Sequence, residues 1–273
     1  MRRIFSGKCA SRLLFRIALI AFAAAVPACF ALCAFCFTSE EQITIAAYEK
    51  SAPSVVNITT MACGPEFFFC TLPTEKGSGS GVVLSDDGMI VTNNHVISGT
   101  ESIQVTLSDG RRLVAKLVAS SPPDDIAVIQ VDPGAKPLTA IALGDSDKLE
   151  IGEKVLAIGN PFGLGQTLTT GVVSMKGRTF RDGGHVMRDM VQTNAPINPG
   201  NSGGALINTD GELVGINTAI LSPTGTSVGI GFAISVNRVK DVAPGLMKPW
   251  QKLLGWLLAI LLVYWFMKRI YRY

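Results

Sequence analysis

The chain has 273 residues, a formal net charge of +3 and a mean hydropathy of +0.36. That length supports one large β domain or two small barrels with substantial cores. The small charge, with no basic stripe interleaved with aromatics in the interior, excludes a nucleic-acid-binding surface.

From the amino terminus, Arg2, Arg3, Lys8, Arg12 and Arg16 lead into the uncharged run Ile17 to Phe37, and Glu40 and Glu41 follow it. The run is long enough to cross a hydrocarbon core of ~30 Å at 1.5 Å per residue. The charge bias places the amino terminus in the cytoplasm and the rest outside. A cleaved signal peptide is the rival reading: its apolar region is shorter, about 7 to 15 residues, but Pro27 interrupts the run and Ala23 with Ala25 offers a cleavage site. Length favours an uncleaved anchor over residues 1–38. Cys29, Cys33 and Cys36 share one helical face and read as small apolar filler.

Residues 39–245 read as a single β-rich unit. Helix is confined to Glu41 to Lys50 and to a segment from Asn237 that Pro244 should stop. Ile103, Val105 and Leu107 alternate with polar neighbours, the pattern of a half-buried strand. Further apolar runs near Val55, Val82, Ile90, Leu113, Ile126, Val155, Leu168, Met190, Leu206, Leu213 and Val228 make about a dozen strands, which favours two barrels. Asp87-Gly88, Asp109-Gly110 and Asp210-Gly211 mark hairpin turns. Cys63 and Cys70, in an oxidising compartment, are candidates for a disulfide. No metal site is expected, because His95 and His185 lack partners at ligand spacing, and nothing calls for a cofactor. Asn57 to Thr59 matches a glycosylation sequon inside an expected strand, as a chance match would.

Three stretches carry chemistry. His95 follows a strand in Thr-Asn-Asn-His-Val-Ile, where polar neighbours can hold the ring at a cleft. Asp125 opens the apolar run Asp-Ile-Ala-Val-Ile-Gln-Val, where a partly buried carboxylate needs a partner such as an imidazole; Asp124 is the competing acid. Ser202 lies in Asn-Pro-Gly-Asn-Ser-Gly-Gly. A serine nucleophile needs a base and donors for the oxyanion, and Gly200, Gly203 and Gly204 allow the unusual backbone that aims amides at one oxygen. Both histidines precede Ser202, which excludes the Ser, acid, His order of α/β-hydrolases.

Together, Gly79 to Val83, the stretch at His95, Asp125 to Val131, Ala157 to Gln166, Ile197 to Leu206 and Gly231 to Ser235 resemble the HtrA/Deg family of trypsin-like serine proteases over residues 40 to 240. The resemblance implies an all-β fold of two six-stranded antiparallel barrels with the active site between them. It implies His95 as base, Asp125 as orienting acid, Ser202 as nucleophile, and an oxyanion hole at Gly200, Asn201 and Ser202. It also implies a substrate pocket at Pro196, Ile197, Ile230, Gly231 and Phe232, protein or peptide substrates, and a homo-oligomer, in this family a trimer.

The departures are informative. No residues remain for the usual PDZ domain; Leu253 to Met267 is instead a second uncharged run, flanked by Trp250, Trp256, Tyr264 and Trp265 as at a membrane interface, with a basic tail. It is short for a span, so an interfacial helix stays open; residues 246–273 are read as a membrane segment. Asn194 and Pro196 replace the family's usual Asp and Ala, and the pocket carries no counter-charge. Asn201 has no charge to pair with a new amino terminus, which moves control to the loop Thr179 to Met190. The expectation is an endopeptidase at a bacterial inner membrane, acting outside the cytoplasm on misfolded or membrane-proximal proteins. A membrane-tethered holdase using the same cleft without cutting is the alternative, and an esterase a second one.

Overall fold

A computed structural model describes residues 37–62, 74–161, 165–182, 185–220 and 229–247. Two units are distinguished, Met1–Ile43 and Thr44–Tyr273. In the first, Thr38 caps helix α1 (Ser39–Ser51): Glu41 N donates to Thr38 Oγ1 at 3.2 Å, and Thr38 N to Glu41 Oε2 at 2.7 Å, a reciprocal capping box. In the second, the last turns of α1 are tied to a β-turn, with Lys50 Nζ donating to Asp210 O at 2.6 Å and Ser51 Oγ to Gly211 O at 2.9 Å.

The first barrel contains β1 (Val55–Ala62), β2 (Thr74–Val83), β3 (Met89–Thr92), β4 (Ser102–Thr106), β5 (Arg112–Ser121) and β6 (Ile126–Val131), closed in the order β1-β2-β3-β6-β5-β4. Alternation puts Ile103 and Val105 inside with Ile58, Ile90 and Ile129. At the β2–β3 turn Gly88 has φ +104°, and a Cβ there would fall 2.2 Å from Val131 O, so only glycine fits.

The second sheet has the order β11-β8-β9-β10-β13-β12-β7. Its strands are β7 (Ala142–Leu143), β8 (Lys154–Gly159), β9 (Thr167–Asp182), β10 (His185–Thr193), β11 (Ala205–Ile207), β12 (Glu212–Ile220) and β13 (Gly231–Ser235). Pairing of β11 with β12 closes the ring of β8 to β13. The seventh strand departs from the expected six: β7 lies parallel to β12, and its two exposed residues are too short for any apolar pattern to register. Val55, Val82, Val91, Ile126 and Val128 of the first barrel pack with Leu156, Ile158, Leu213, Ile216 and Ile234 of the second, so one core underlies the cleft.

Two expectations are corrected. Thr179 to Met190 is no loop: both arms belong to β9 and β10, because Phe180, Met187 and Met190 turn inward while Arg181 and Arg188 stay exposed. Helix α3 (Val236–Met247) passes Pro244, whose missing amide removes a single backbone bond one turn from the end. Val236, Val239 and Ala243 bury its inner face. Among the described residues no helix is long and apolar enough to cross a membrane. Residues 17–36, the run Leu253 to Met267 and the Cys63, Cys70 pair lie outside the described residues.

Candidate active site

His95 stands on a one-turn helix, α2 (Asn94–Ile97), directly after β3. The chain preceding β6 makes a 3₁₀ turn at Pro122–Asp124, and Asp125 leaves it with φ +53° and ψ +37°. Asp tolerates this left-handed conformation better than most side chains, at a cost of about 1 to 3 kcal/mol that the surroundings must offset. They do so from both ends of the residue. Its carbonyl accepts from Asn94 N and from the buried Asn93 Nδ2, both at 3.1 Å. Its carboxylate Oδ1 accepts from His95 N at 2.9 Å, and Oδ2 lies 2.7 Å from His95 Nδ1. The Asp125 side chain is 13% exposed and the His95 ring 51%, so the imidazole is backed by a largely shielded acid while one edge faces solvent.

A third donor reaches the same carboxylate: Thr218 Oγ1, from β12, gives Oδ2 a hydrogen bond of 2.7 Å. The Thr218 carbonyl also accepts from Ser202 Oγ at 3.2 Å. Thr218 therefore touches both the acid and the serine, a contact the sequence reading missed. The available signal was Asn217-Thr218, a polar pair in the otherwise uncharged, largely apolar stretch Leu213 to Ile220 of β12.

Asp124 is engaged elsewhere. Arg238 of α3 donates to its Oδ1 from Nε at 3.0 Å and from Nη2 at 2.5 Å, and Ser121 Oγ reaches Oδ2 at 2.6 Å. Burial pushes this carboxyl up, but the bonds from Ser121 and Arg238 outweigh it and hold its pKa below the ordinary value. His185 begins β10 at the turn of the β9–β10 hairpin.

Around Ser202, Gly200 (φ +96°) and Gly203 (φ +83°) set the loop. Among the described residues, the amides of Gly200 and Ser202 have no hydrogen-bond partner. The Asn201 amide is turned inward to Asn198 O at 3.0 Å, and its buried side chain accepts from Thr167 Oγ1 at 3.1 Å. Asn201 thus holds the turn and presents no amide to a ligand, which corrects its placement among the donors.

The expected pocket residues divide. Ile197, 1% exposed, packs against Gly231, where a Cβ would fall 2.9 Å from its Cδ1. Pro196 is exposed, and its carbonyl accepts from Thr169 Oγ1 at 2.8 Å. Asn194 Oδ1 accepts from Val172 N at 2.7 Å, fastening the loop to β9. Ile230 is 37% exposed. Phe232 is not a lining residue: alternation along β13 turns it into the core, 4.6 Å from the Phe180 ring and beneath the Arg178 guanidinium.

Residues 79–216 match the family model described as a trypsin-like peptidase domain. Among curated relatives, the periplasmic serine endoprotease DegP of Escherichia coli K12 is 53% identical over 165 residues, covering 60% of this chain and 34% of DegP. The periplasmic pH-dependent serine endoprotease DegQ of the same organism is 47% identical over 215 residues, covering 73% of this chain and 47% of DegQ. Of solved structures, the HtrA-type protease AlgW with a tripeptide superposes with a TM-score of 0.66 at 44% identity, covering 74% of this chain and 62% of that one. This chain therefore spans less than half the length of either curated relative. With the model covering residues 79–216 and these likenesses beside it, the chain belongs to the trypsin-like peptidase family, among its HtrA/Deg proteases.

Proposed function

We propose that this chain is a serine endopeptidase working at the outer face of a bacterial inner membrane, with His95, Asp125 and Ser202 as its triad. The observation that carries the reading is the unbroken set of contacts from His95 through the Asp125 carboxylate and Thr218 to Ser202. Asp125 accepts a hydrogen bond from the Nδ1–H, fixing the tautomer that leaves Nε2 free as the base. As substrate enters, Ser202 Oγ turns from the Thr218 carbonyl to His95, gives up its proton and attacks the scissile carbonyl. The oxyanion is received by the Gly200 and Ser202 amides, and His95 then protonates the leaving amine. Water repeats the sequence on the acyl-enzyme. A holdase would gain nothing from a carboxylate given three donors and a left-handed backbone.

Periplasmic relatives support an extracytoplasmic site. Two tethers, from Phe37 to Val55 and from Ile234 to Leu253, each reach at most ~60 Å when extended. They keep the cleft near the bilayer, where membrane-proximal or misfolded chains become the substrates, and family likeness makes a homo-oligomer, a trimer, the working assembly. Two measurements test this: peptide cleavage by the purified chain, abolished in Ser202→Ala, and protease protection of tags at both ends in intact cells. An active Ser202→Ala protein would refute the triad. An externally cleaved carboxy-terminal tag would show that the second run lies on the membrane without crossing it.

A further inference from the structure

Ser80, on β2 of the first barrel, is fully buried, and all its polar atoms are committed to neighbours. Its amide donates to Ser202 O at 2.8 Å, and its hydroxyl donates to Gly200 O at 2.6 Å. The hydroxyl in turn accepts from Asn160 N at 2.8 Å, and the Ser80 carbonyl accepts from Thr92 Oγ1 at 2.6 Å. Ser80 therefore grips the carbonyls of the same two residues, Gly200 and Ser202, whose amides are left without partners.

The peptide planes beside those amides are pinned at both ends. In the Gly200–Asn201 peptide, Ser80 Oγ holds the oxygen and Asn198 O holds the N–H at 3.0 Å. In the Ser202–Gly203 peptide, Ser80 N holds the oxygen and Asn217 O the N–H, each at 2.8 Å. Gly200 is also packed against Pro161, whose Cβ would lie 2.4 Å from a Cβ placed on the glycine. A residue whose carbonyl is tethered and whose Cα is packed has little freedom left in its amide direction. Oxyanion donors act through such preorganisation, because they cost no reorganisation at the moment of reaction.

We propose that Ser80 is a positioning residue for the oxyanion hole: its hydroxyl, borne by the opposite barrel, aims the Gly200 amide by holding the Gly200 carbonyl. The assignment rests on the serine-peptidase reading above. Deleting an oxyanion donor outright lowers kcat by about 10²- to 10³-fold; a donor left present but unaimed should cost less, about 10- to 100-fold. Interactions made only in the transition state appear in kcat, with KM little changed.

The test uses the full chain and four variants: Ser80→Ala, Ser80→Cys, Thr92→Val and Ser202→Ala. Peptide kcat and KM, affinity for a peptide boronic acid that forms a tetrahedral adduct with the serine, and melting temperature are measured for each. Ser80→Ala should lower kcat about 30-fold and boronate affinity in proportion, with KM within about threefold of wild type. Ser80→Cys, which keeps a weaker and longer donor, should fall between. It carries the test alone if Ser80→Ala does not fold. Thr92→Val loses a buried bond to the same residue while sparing the tether, and should lose stability but keep kcat. A Ser80→Ala kcat within twofold of wild type, or an equal kcat loss in Thr92→Val, would overturn the positioning role. An active Ser202→Ala would instead overturn the underlying peptidase reading.

Discussion

Replacing Asp125 by Asn separates the two adjacent acids, and the structure sets the size of the effect. The carboxylate faces three donors: His95 N on Oδ1, and His95 Nδ1 with Thr218 Oγ1 on Oδ2. An amide must put its NH₂ on one side. Toward Oδ1 it would oppose a backbone N–H that has no other form. Toward Oδ2 it meets a hydroxyl that can rotate and an imidazole that can change tautomer, so the amide settles there. His95 then carries its proton on Nε2 and cannot accept one from Ser202, a change worth about 10⁴-fold in kcat with geometry preserved. Asp124→Asn removes charge-assisted bonds to Arg238 worth about 1 to 2 kcal/mol of stability and should leave kcat within about threefold, since Asp124 makes no contact with His95 or Ser202. The assay is peptide kcat/KM on both purified variants, with folding checked by thermal melting. An Asp125→Asn enzyme within tenfold of wild type, or Asp124→Asn as the more damaging change, would refute the reasoning.

The Asp124 pKa is lowered in the folded chain, so its stabilisation is complete above the ordinary value of 3.8 and fades as pH falls through the lower folded value. The melting-temperature gap between wild type and Asp124→Asn should accordingly be full at pH 7 and shrink below about pH 4, and a gap that widened in acid would reverse the sign of this linkage. Cleavage should follow small or medium apolar residues: Pro196, Ile197 and Ile230 offer no counter-charge, and a buried Lys or Arg would need one. A peptide library cut mainly after Lys or Arg would contradict that. Chains truncated to begin near Ser39 should share one specific activity whatever their first residue, because Asn201 is uncharged and already spent on Asn198 and Thr167. A large gain from one particular new terminus would argue for zymogen-type activation.

The barrels were legible because their strands alternate and their turns carry Asp-Gly pairs, and residue order narrowed the chemistry to His95, an acid and Ser202. Asp125 was preferred to Asp124 from its place at the mouth of the β6 run and from the family resemblance; what adjacent letters do not encode is the left-handed turn that sends the Asp125 carboxylate to His95 and the Asp124 carboxylate to Arg238. Thr218 and Ser80 were passed over for a related reason. Each acts on residues distant in the chain, through hydroxyls that pattern reading treats as ordinary strand polarity. Phe232 was misplaced because an aromatic near a pocket and an aromatic one step further along a strand look alike until the register is known. The β7 strand and the arms of the β9–β10 hairpin depended on partners elsewhere in the sheet, so local composition read the first as nothing and the second as loop.

The central claim is that Ser202 is a nucleophile activated by His95 and oriented through Asp125. Its most direct measurement is reaction of the intact chain with a fluorophosphonate probe, followed by identification of the modified residue by mass spectrometry. The account predicts one labelled site, Ser202, with labelling lost in Ser202→Ala and slowed by orders of magnitude in His95→Ala. Absence of labelling in the folded wild-type chain, or labelling of Ser202 at an unchanged rate without His95, would contradict it.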